Sequence, residues 1–334
     1  MARPTMRDVA STAGVSVKTV SRVVNDEPGV RPDTAARVDA AIAQLGFARN
    51  DLARGLRRGR AGALGLIIED VANPFYSAVA RAVEDVAHER GHILITGSCE
   101  EDPSRERQLA LGLLRRLVDA LLIVPAGSDH RYLMPDLRAE TPIVFLDRPP
   151  EGLPADSVLV DNHGGARAAV EHLVQRGHER IGFVGDPPAL YTARVRLDGY
   201  RTALADAGIA VREELIRAGS HDAVAAEQSG RELLALPESD RPTALFSSNN
   251  RNTIGVLRAL RDAPRPVALV GFDDFELADM LATPVTVVRN APEEMGRIAA
   301  ELAYARLDGD GARQPVERIV PCELVPRGSG EIAP

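Results

Sequence analysis

On a helix, positions 17, 18, 21, 22 and 25 fall on one face, and in this chain they hold Val17, Lys18, Ser21, Arg22 and Asn25. Such a face is polar, basic and narrow enough to enter a DNA major groove, where Lys or Arg donates to guanine O6 and N7. Lys18 is the single lysine among the 40 Lys and Arg residues. Codon bias in a GC-rich genome would account for that usage, yet the exception stands on the face with this chemistry. The bland alternative is an ordinary pair of helices with a solvated outer side.

Two short helices must hold that face in place. Thr5 can cap the first, with Asp8 three residues on in a capping-box arrangement that also suits the helix dipole. Met6, Val9, Ala10 and Ala13 then form one apolar stripe. Gly14 breaks the run, Ser16 caps the second helix, and Val20, Val23 and Val24 can turn toward the first. A third helix is predicted over Pro32–Leu45, with Val38, Ala41, Ile42 and Leu45 inward and Gly46 as its stop. Three short helices around one small core favour a helix-turn-helix unit over the plain hairpin. Charge agrees. Residues 1–60 hold 11 Lys and Arg against 6 Asp and Glu, net +5, and the remainder holds 29 against 42, net −13. A basic head on an acidic body suggests that a polyanion meets the head alone.

GVSVKTVSRVVN and, further on, LARGLRRGRAGALGLII resemble the lac repressor/gal repressor (LacI/GalR) family of bacterial transcription regulators, and the resemblance covers essentially the whole chain. It implies that Val17, Lys18 and Arg22 face base edges, while Thr5, Ser16, Thr19, Ser21 and Asn25 mainly hold phosphates. The first set selects sequence; the second sets register and affinity. Arg31 departs from the small capping residue usual before the third helix. NDLARGLRR, residues 50–58, is the linker. Asn50 can cap a short helix there, but so short a helix is marginal alone, and Gly55 weakens it by roughly 0.5–1 kcal/mol relative to alanine. A flexible basic tether is the simpler reading. In the family this segment folds against its copy on DNA, and a leucine wedges into the minor groove. The resemblance carries that role onto Leu56 and Ala53.

From residue 61 the pattern becomes alternating βα. Apolar runs at 64–68, 92–97, 120–124, 142–147, 157–162, 180–186, 243–248 and 267–274 are separated by amphipathic segments of helix length. Strands and helices in that alternation imply parallel sheets covered on both faces. About 270 residues exceed one such sheet of average size, so two similar doubly wound α/β lobes are expected. RGHILITG and RGHERIGFVG hint at a repeated unit. The resemblance implies a periplasmic-binding-protein-like core with crossovers near residues 161 and 290. The organisation is then a head over 1–49, a hinge over 50–60 and an effector-binding and dimerisation core over 61–334. Within that core the N-lobe takes about 61–161 plus 291–320, and the C-lobe about 162–290 plus 321–334.

Ligands of open α/β sheets bind beyond the carboxyl ends of the strands. That rule singles out Asp70, Asp147, Asp161, Asn249 and Asp273, each following an apolar run, with Phe75 as an apolar wall and Arg196 as a hydrogen-bonding fork. Matching the family's motifs gives Asp70, Asn73, Phe75, Asp147, Arg196, His221, Asn249, Asp273 and Asn290 as the effector pocket. Helix capping is the competing role for the aspartates. In NNRNTIG, Asn250 replaces the family's usual aspartate, and Arg251 and Asn252 replace apolar residues. A guanidinium added beside the pocket suggests an acidic or less hydroxyl-rich ligand.

Enzyme readings find little support. His88 and His92 satisfy an H-E-x-x-H zinc string, but Gly91 should end the helix and His92 begin a strand, which separates the two rings. No P-loop, dinucleotide fingerprint or nucleophile elbow is present. Cys99 and Cys322 are far apart and suggest a reduced cytoplasmic protein. No apolar stretch approaches membrane-spanning length, and the first ten residues lack a signal-peptide core. LVPRGS (324–329) equals an engineered protease site and equally fits a native tail. The expected protein is a cofactor-free, ligand-responsive transcriptional regulator, in this family most often a repressor. It would bind a pseudo-palindromic operator as a homodimer, with a tetramer left open, and take a sugar or sugar-derived effector. The runner-up is a small-molecule-binding protein whose basic head binds a protein partner.

Overall fold

A computed structural model describes residues 4–25, 27–47, 62–115, 118–310 and 314–334. The chain divides into two compact units at Gly62. The first holds three helices, α1 (Met6–Ala13), α2 (Val17–Val24) and α3 (Pro32–Leu45). Each boundary has a local cause. Thr5 and Asp8 form the reciprocal capping box, Ser16 accepts from the Thr19 amide, and Gly14 and Gly46 stop α1 and α3 with φ of 62° and 60°. Arg31 precedes α3 without a side-chain cap, and Pro32 sets the first turn instead. Val9, Ala10, Ala13, Val20, Val38 and Ala41 form the core of this unit, with Val23, Val24, Ile42 and Leu45 half-buried against it.

The second unit is two six-stranded sheets. Its first lobe runs β1 (Ala63–Ile68), α4 (Pro74–Glu89), β2 (Ile93–Ser98), α5 (Pro103–Arg115), β3 (Ala120–Ile123), α6 (Met134–Arg138), β4 (Ile143–Leu146) and β5 (Asp156–Val160). The chain then crosses to α7 (Asn162–Gln175), β6 (Ile181–Gly185), α8 (Tyr191–Asp206), β7 (Ile216–Ala218), α9 (Ala223–Leu234), β8 (Ala244–Ser247), α10 (Asn250–Leu260), β9 (Ala268–Phe272) and β10 (Thr286–Arg289). It returns through α11 (Pro292–Leu307) to β11 (Glu317–Val320), and crosses once more to β12 (Glu323–Val325).

The sheet orders are β2-β1-β3-β4-β5-β11 and β7-β6-β8-β9-β10-β12. All pairs are parallel except β10 with β12, which is antiparallel. The central strands β1, β3, β4, β6, β8 and β9 are wholly buried, as helices on both faces require. Burying one Leu or Ile side chain contributes ~1.5–3 kcal/mol, so these apolar runs fix which segments become strands. Where α9 and α10 cross, a Cβ at Gly255 would stand 2.3 Å from the Ala223 carbonyl oxygen, so only glycine allows that approach.

The lobes do repeat, but RGHILITG and RGHERIGFVG do not mark the repeat. The first leads into edge strand β2, and the second into β6, whose place in its sheet matches β1. What they share is a helix stop, with Gly91 and Gly177 at φ of 72° and 93°. The tail containing LVPRGS is built into the second lobe. β12 pairs with β10, Arg327 grips Asp274 with two hydrogen bonds, and the buried Ser329 hydroxyl donates to the Leu269 carbonyl. Cys99 and Cys322 are free thiols. Among the described residues no helix is long and apolar enough to cross a membrane.

Candidate functional site

In the helical unit, α2 turns Val20 into the core and leaves Val17 and Lys18 exposed, with Ser21, Arg22 and Asn25 half-buried. The neighbouring hydroxyls are already ordered. Ser16 and Thr19 share a hydrogen bond of 2.9 Å, Asn25 donates to the Ser21 carbonyl at 2.7 Å, and Thr5 donates to Asp8. The Thr5 side-chain and backbone hydrogen bonds hold the Asp8 carboxyl below its ordinary pKa. The face therefore combines an ammonium, a guanidinium and ordered hydroxyls on a rigidly capped helix.

In the second unit a cavity of about 400 Å³ opens at the carboxyl ends of both sheets. From the first lobe come Glu69 and Asp70 after β1, Asn73, Phe75 and Tyr76 at the start of α4, Glu100 and Glu101 after β2, and Asp147 and Arg148 after β4. From the second come Asp186 after β6, Leu190, Thr192 and Arg196 on or before α8, His221 after β7, Asn249 and Arg251 around the start of α10, and Asp273 after β9. Asp147 and Asp273 occupy the same position in the two repeats, and both have φ of 65°. That left-handed backbone is uncommon outside glycine and turns each carboxylate out of its strand.

Each arginine in the cavity is held by protein groups. Arg148 binds Glu101 through two nitrogens and the Pro125 carbonyl at 2.8 Å. Arg196 is buried, stacks on Phe272 at 3.8 Å, donates to Asn162 Oδ1 and the Ser248 carbonyl, and lies 3.7 Å from Asp273. Arg251 reaches across to the other lobe, where it pairs with Glu69 at 3.4 Å and with Asp70. Beside it Asn250 donates to Asn73 Oδ1 at 3.1 Å. The start of α10 thus ties one lobe to the other. Because Arg251 is neutralised in this way, the geometry does not support an acidic ligand as the consequence of that residue.

Burial pushes Glu69 up to about 7, helped by Glu101 and opposed by Arg148 and Arg251. Burial also raises Asp186 and Asp273 against the pull of Arg196. Asp70 is lowered, mainly by the Ala72 amide. A carboxyl raised in the folded state holds its proton where the unfolded chain has lost it, so stability falls as pH rises from about 4.5 through 7. Glu69→Gln is therefore expected to be more stable than the parent at pH 8, by on the order of 1–3 kcal/mol, and no more stable at pH 5. Urea unfolding at the two pH values tests this, and an equal effect at both would contradict it.

The comparisons agree with this two-part layout. Residues 5–50 match the model for bacterial regulatory proteins of the lacI family, and residues 170–330 match a periplasmic binding protein-like domain. The chain is 33% identical over 333 residues to the ribose operon repressor of Escherichia coli strain K12, covering 97% of this chain and 99% of that one. It belongs to the lacI family of bacterial regulatory proteins.

Among solved structures, the lac repressor dimer bound to operator and the anti-inducer ONPF superposes with a TM-score of 0.88 at 27% identity, covering 99% of this chain and 100% of that one. The transcriptional regulator CelR–cellobiose complex does so with a TM-score of 0.71 at 31% identity, covering 98% and 100%. This lacI-family chain is a ligand-responsive DNA-binding regulator and not an enzyme. The zinc string fails on geometry as well. α4 ends at Glu89, Gly91 turns the chain, and His92 lies before β2 beside Asp119, away from His88.

Of the residues expected in the pocket of this lacI-family member, Asp70, Asn73, Phe75, Asp147, Arg196, His221, Asn249 and Asp273 line one cavity. Asn290 lies outside its wall, in an adjoining cleft, and donates to Asp273 Oδ1 at 2.7 Å. Asp161 takes the competing role and caps α7 through the Gly164 amide at 2.9 Å. Sequence reasoning missed Glu69, Tyr76, Glu101, Arg148 and Asp186. Glu69 and Asp186 each directly follow an apolar run, so the strand-end rule contained them. Asn50, Ala53 and Leu56 lie outside the described residues.

Proposed function

We propose that this regulator is a cytoplasmic transcriptional repressor acting as a homodimer on a pseudo-palindromic operator, with a carbohydrate or related metabolite bound between the lobes. Its working parts are a head over 1–49, a hinge over 50–60 and a core over 61–334, whose lobes are about 61–161 plus 291–320 and 162–290 plus 321–334. Val17, Lys18 and Arg22 read base edges, while Thr5, Ser16, Thr19, Ser21 and Asn25 hold phosphates. Asn50, Ala53 and Leu56 form the minor-groove hinge. Asp70, Asn73, Phe75, Asp147, Arg196, His221, Asn249 and Asp273 contact the effector, and Asn290 orients Asp273.

The observation that carries this reading is the exposed Val17–Lys18 face of a doubly capped α2 in one chain with a cavity spanned by Arg251. A ligand can act only by preferring one arrangement of the lobes, and operator binding must change its affinity by the same factor. An apolar groove on the second lobe, bordered by Ile254, Leu257, Phe275, Leu277 and Leu281, supports self-association. Leu277 is 58% exposed in the single chain.

The test is a gel shift with genomic fragments, followed by footprinting of the bound site. Lys18→Ala or Arg22→Ala should each weaken binding by about 1–3 kcal/mol and relax choice at one base pair per half-site. Retention of no fragment by the parent chain would overturn the reading in favour of a protein partner.

A further inference from the structure

The cavity carries more negative charge than its arginines can answer. Seven carboxylates line it, against three guanidiniums and His221, with Glu100 answered by Arg105 from outside the wall at 2.6 Å. All three guanidiniums are taken by protein acceptors: Arg148 by Glu101, Arg196 by Asn162 and Ser248 beside Asp273, and Arg251 by Glu69 and Asp70. Asp186 accepts from the Asn249 amide, and the Asn252 amide and the Arg196 charge also favour its ionised form.

A second observation lies beneath Asp186. Ser248 is 1% exposed, and among the described residues its hydroxyl makes no hydrogen bond. Ser248 stands beside Gly185, the residue before Asp186: a Cβ there would be 2.5 Å from its hydroxyl. A buried polar group left unpaired costs about 1–3 kcal/mol, and the Ser248 hydroxyl stands behind the cavity wall, next to the residue that precedes Asp186.

Among the described residues no group of His, Cys, Asp or Glu is placed to hold a metal ion. The carboxylates are instead spread around a cavity with an aromatic corner, where Phe75 and Tyr76 pack edge to face at 5.0 Å. A spread of acceptors beside aromatic faces suits an organic ammonium on a hydroxylated ring.

Resting on the effector-site reading above, we propose that the effector carries a protonated amine on a polyhydroxylated ring, an amino sugar or aminocyclitol, and that Asp186 and Glu69 flank the ammonium from opposite lobes. The ammonium supplies the charge that the engaged arginines cannot, and the ring hydroxyls take the remaining acceptors. Burial is the main cause that raises Glu69, and the smaller repulsion from Glu101 and Asp186 is relieved when the cation enters.

The experiment is calorimetric titration of the full chain with matched trios of hexose, hexosamine and hexuronic acid in three ring configurations, together with one deoxyaminocyclitol. Each ligand is also added to a protein–DNA gel shift. One amine should bind saturably and at least tenfold more tightly than its neutral and acidic counterparts, and should change DNA binding. Asp186→Asn should remove that preference, so that on this variant the amine and its neutral counterpart bind within about twofold of each other. Glu69→Gln serves as a second variant should the first be unstable. Tighter binding of a neutral or acidic member, or no saturable amine at all, overturns the proposal. In the first case a neutral ligand that still moves the gel shift leaves the regulator reading standing. That reading fails separately if the chain binds no DNA.

Discussion

Arg196→Met should destabilise the core by about 3–5 kcal/mol at pH 8, because it strands a buried carboxylate. Arg196 is 6% exposed and Asp273 is 7% exposed, with 3.7 Å between charged atoms. The guanidinium also donates to the Asn162 side chain and the Ser248 carbonyl, so two acceptors lose their donor and Asp273 its cation at once. Burial already raises Asp273, and Arg196 is the main group pulling it down. Without Arg196 the Asp273 carboxyl would hold its proton more tightly still. The folded variant then binds more protons than the unfolded chain, so its stability should recover as pH falls toward 5. Asp273→Asn placed on Arg196→Met should recover part of the loss at pH 8, since it removes the stranded charge. Urea unfolding of the two variants at pH 5 and 8 checks both statements. A loss below 1 kcal/mol, or one independent of pH, would show that the pair contributes nothing through charge.

The second large effect concerns DNA. Residues 1–60 contain 11 Lys and Arg, so two chains that each neutralise three or more phosphates reach at least six contacts. Affinity for the selected fragment should then fall roughly 10³–10⁵-fold between 50 and 200 mM salt, because each neutralised phosphate releases condensed counterions. Lys18→Ala should leave the slope of log affinity against log salt nearly unchanged if Lys18 reads a base, and reduce it by about one if it holds a phosphate. Titration of one labelled fragment at four salt concentrations distinguishes these outcomes. A flat salt dependence would mean that the basic head does not meet the polyanion.

The head was the most legible part of the chain. Caps at Thr5 and Ser16, stops at Gly14 and Gly46 and stripes such as Val9–Ala10–Ala13 are interactions within one or two helical turns, and the structure forms each of them. In the core, the eight apolar runs became β1 to β6, β8 and β9; burial on both faces leaves that continuous apolar signal in all but β2, an edge strand that is exposed or half-buried. The four remaining strands lack that signal. β7 is three half-buried residues at an edge, and Glu317, Arg318 and Ile319 of β11 are exposed. β12 is another three-residue edge strand. Only β10 is both interior and largely apolar, and it follows the irregular 273–285 stretch that obscures its start.

Sequence alone determined the capped helix α2, the two-lobe βα architecture and the strand-end aspartates, because each depends on residues a few positions apart. Tertiary structure decided what the cavity can bind. Whether Arg251 is a free cation or the partner of Glu69, 182 positions away, depends on a distance that no local pattern encodes. The same holds for Glu69 and Glu101 on one lobe and Asp186 on the other, which sit on three separate loops and come together only in the folded chain. Coulomb energy and desolvation depend on separation in space, whereas periodicity and capping depend on separation along the chain.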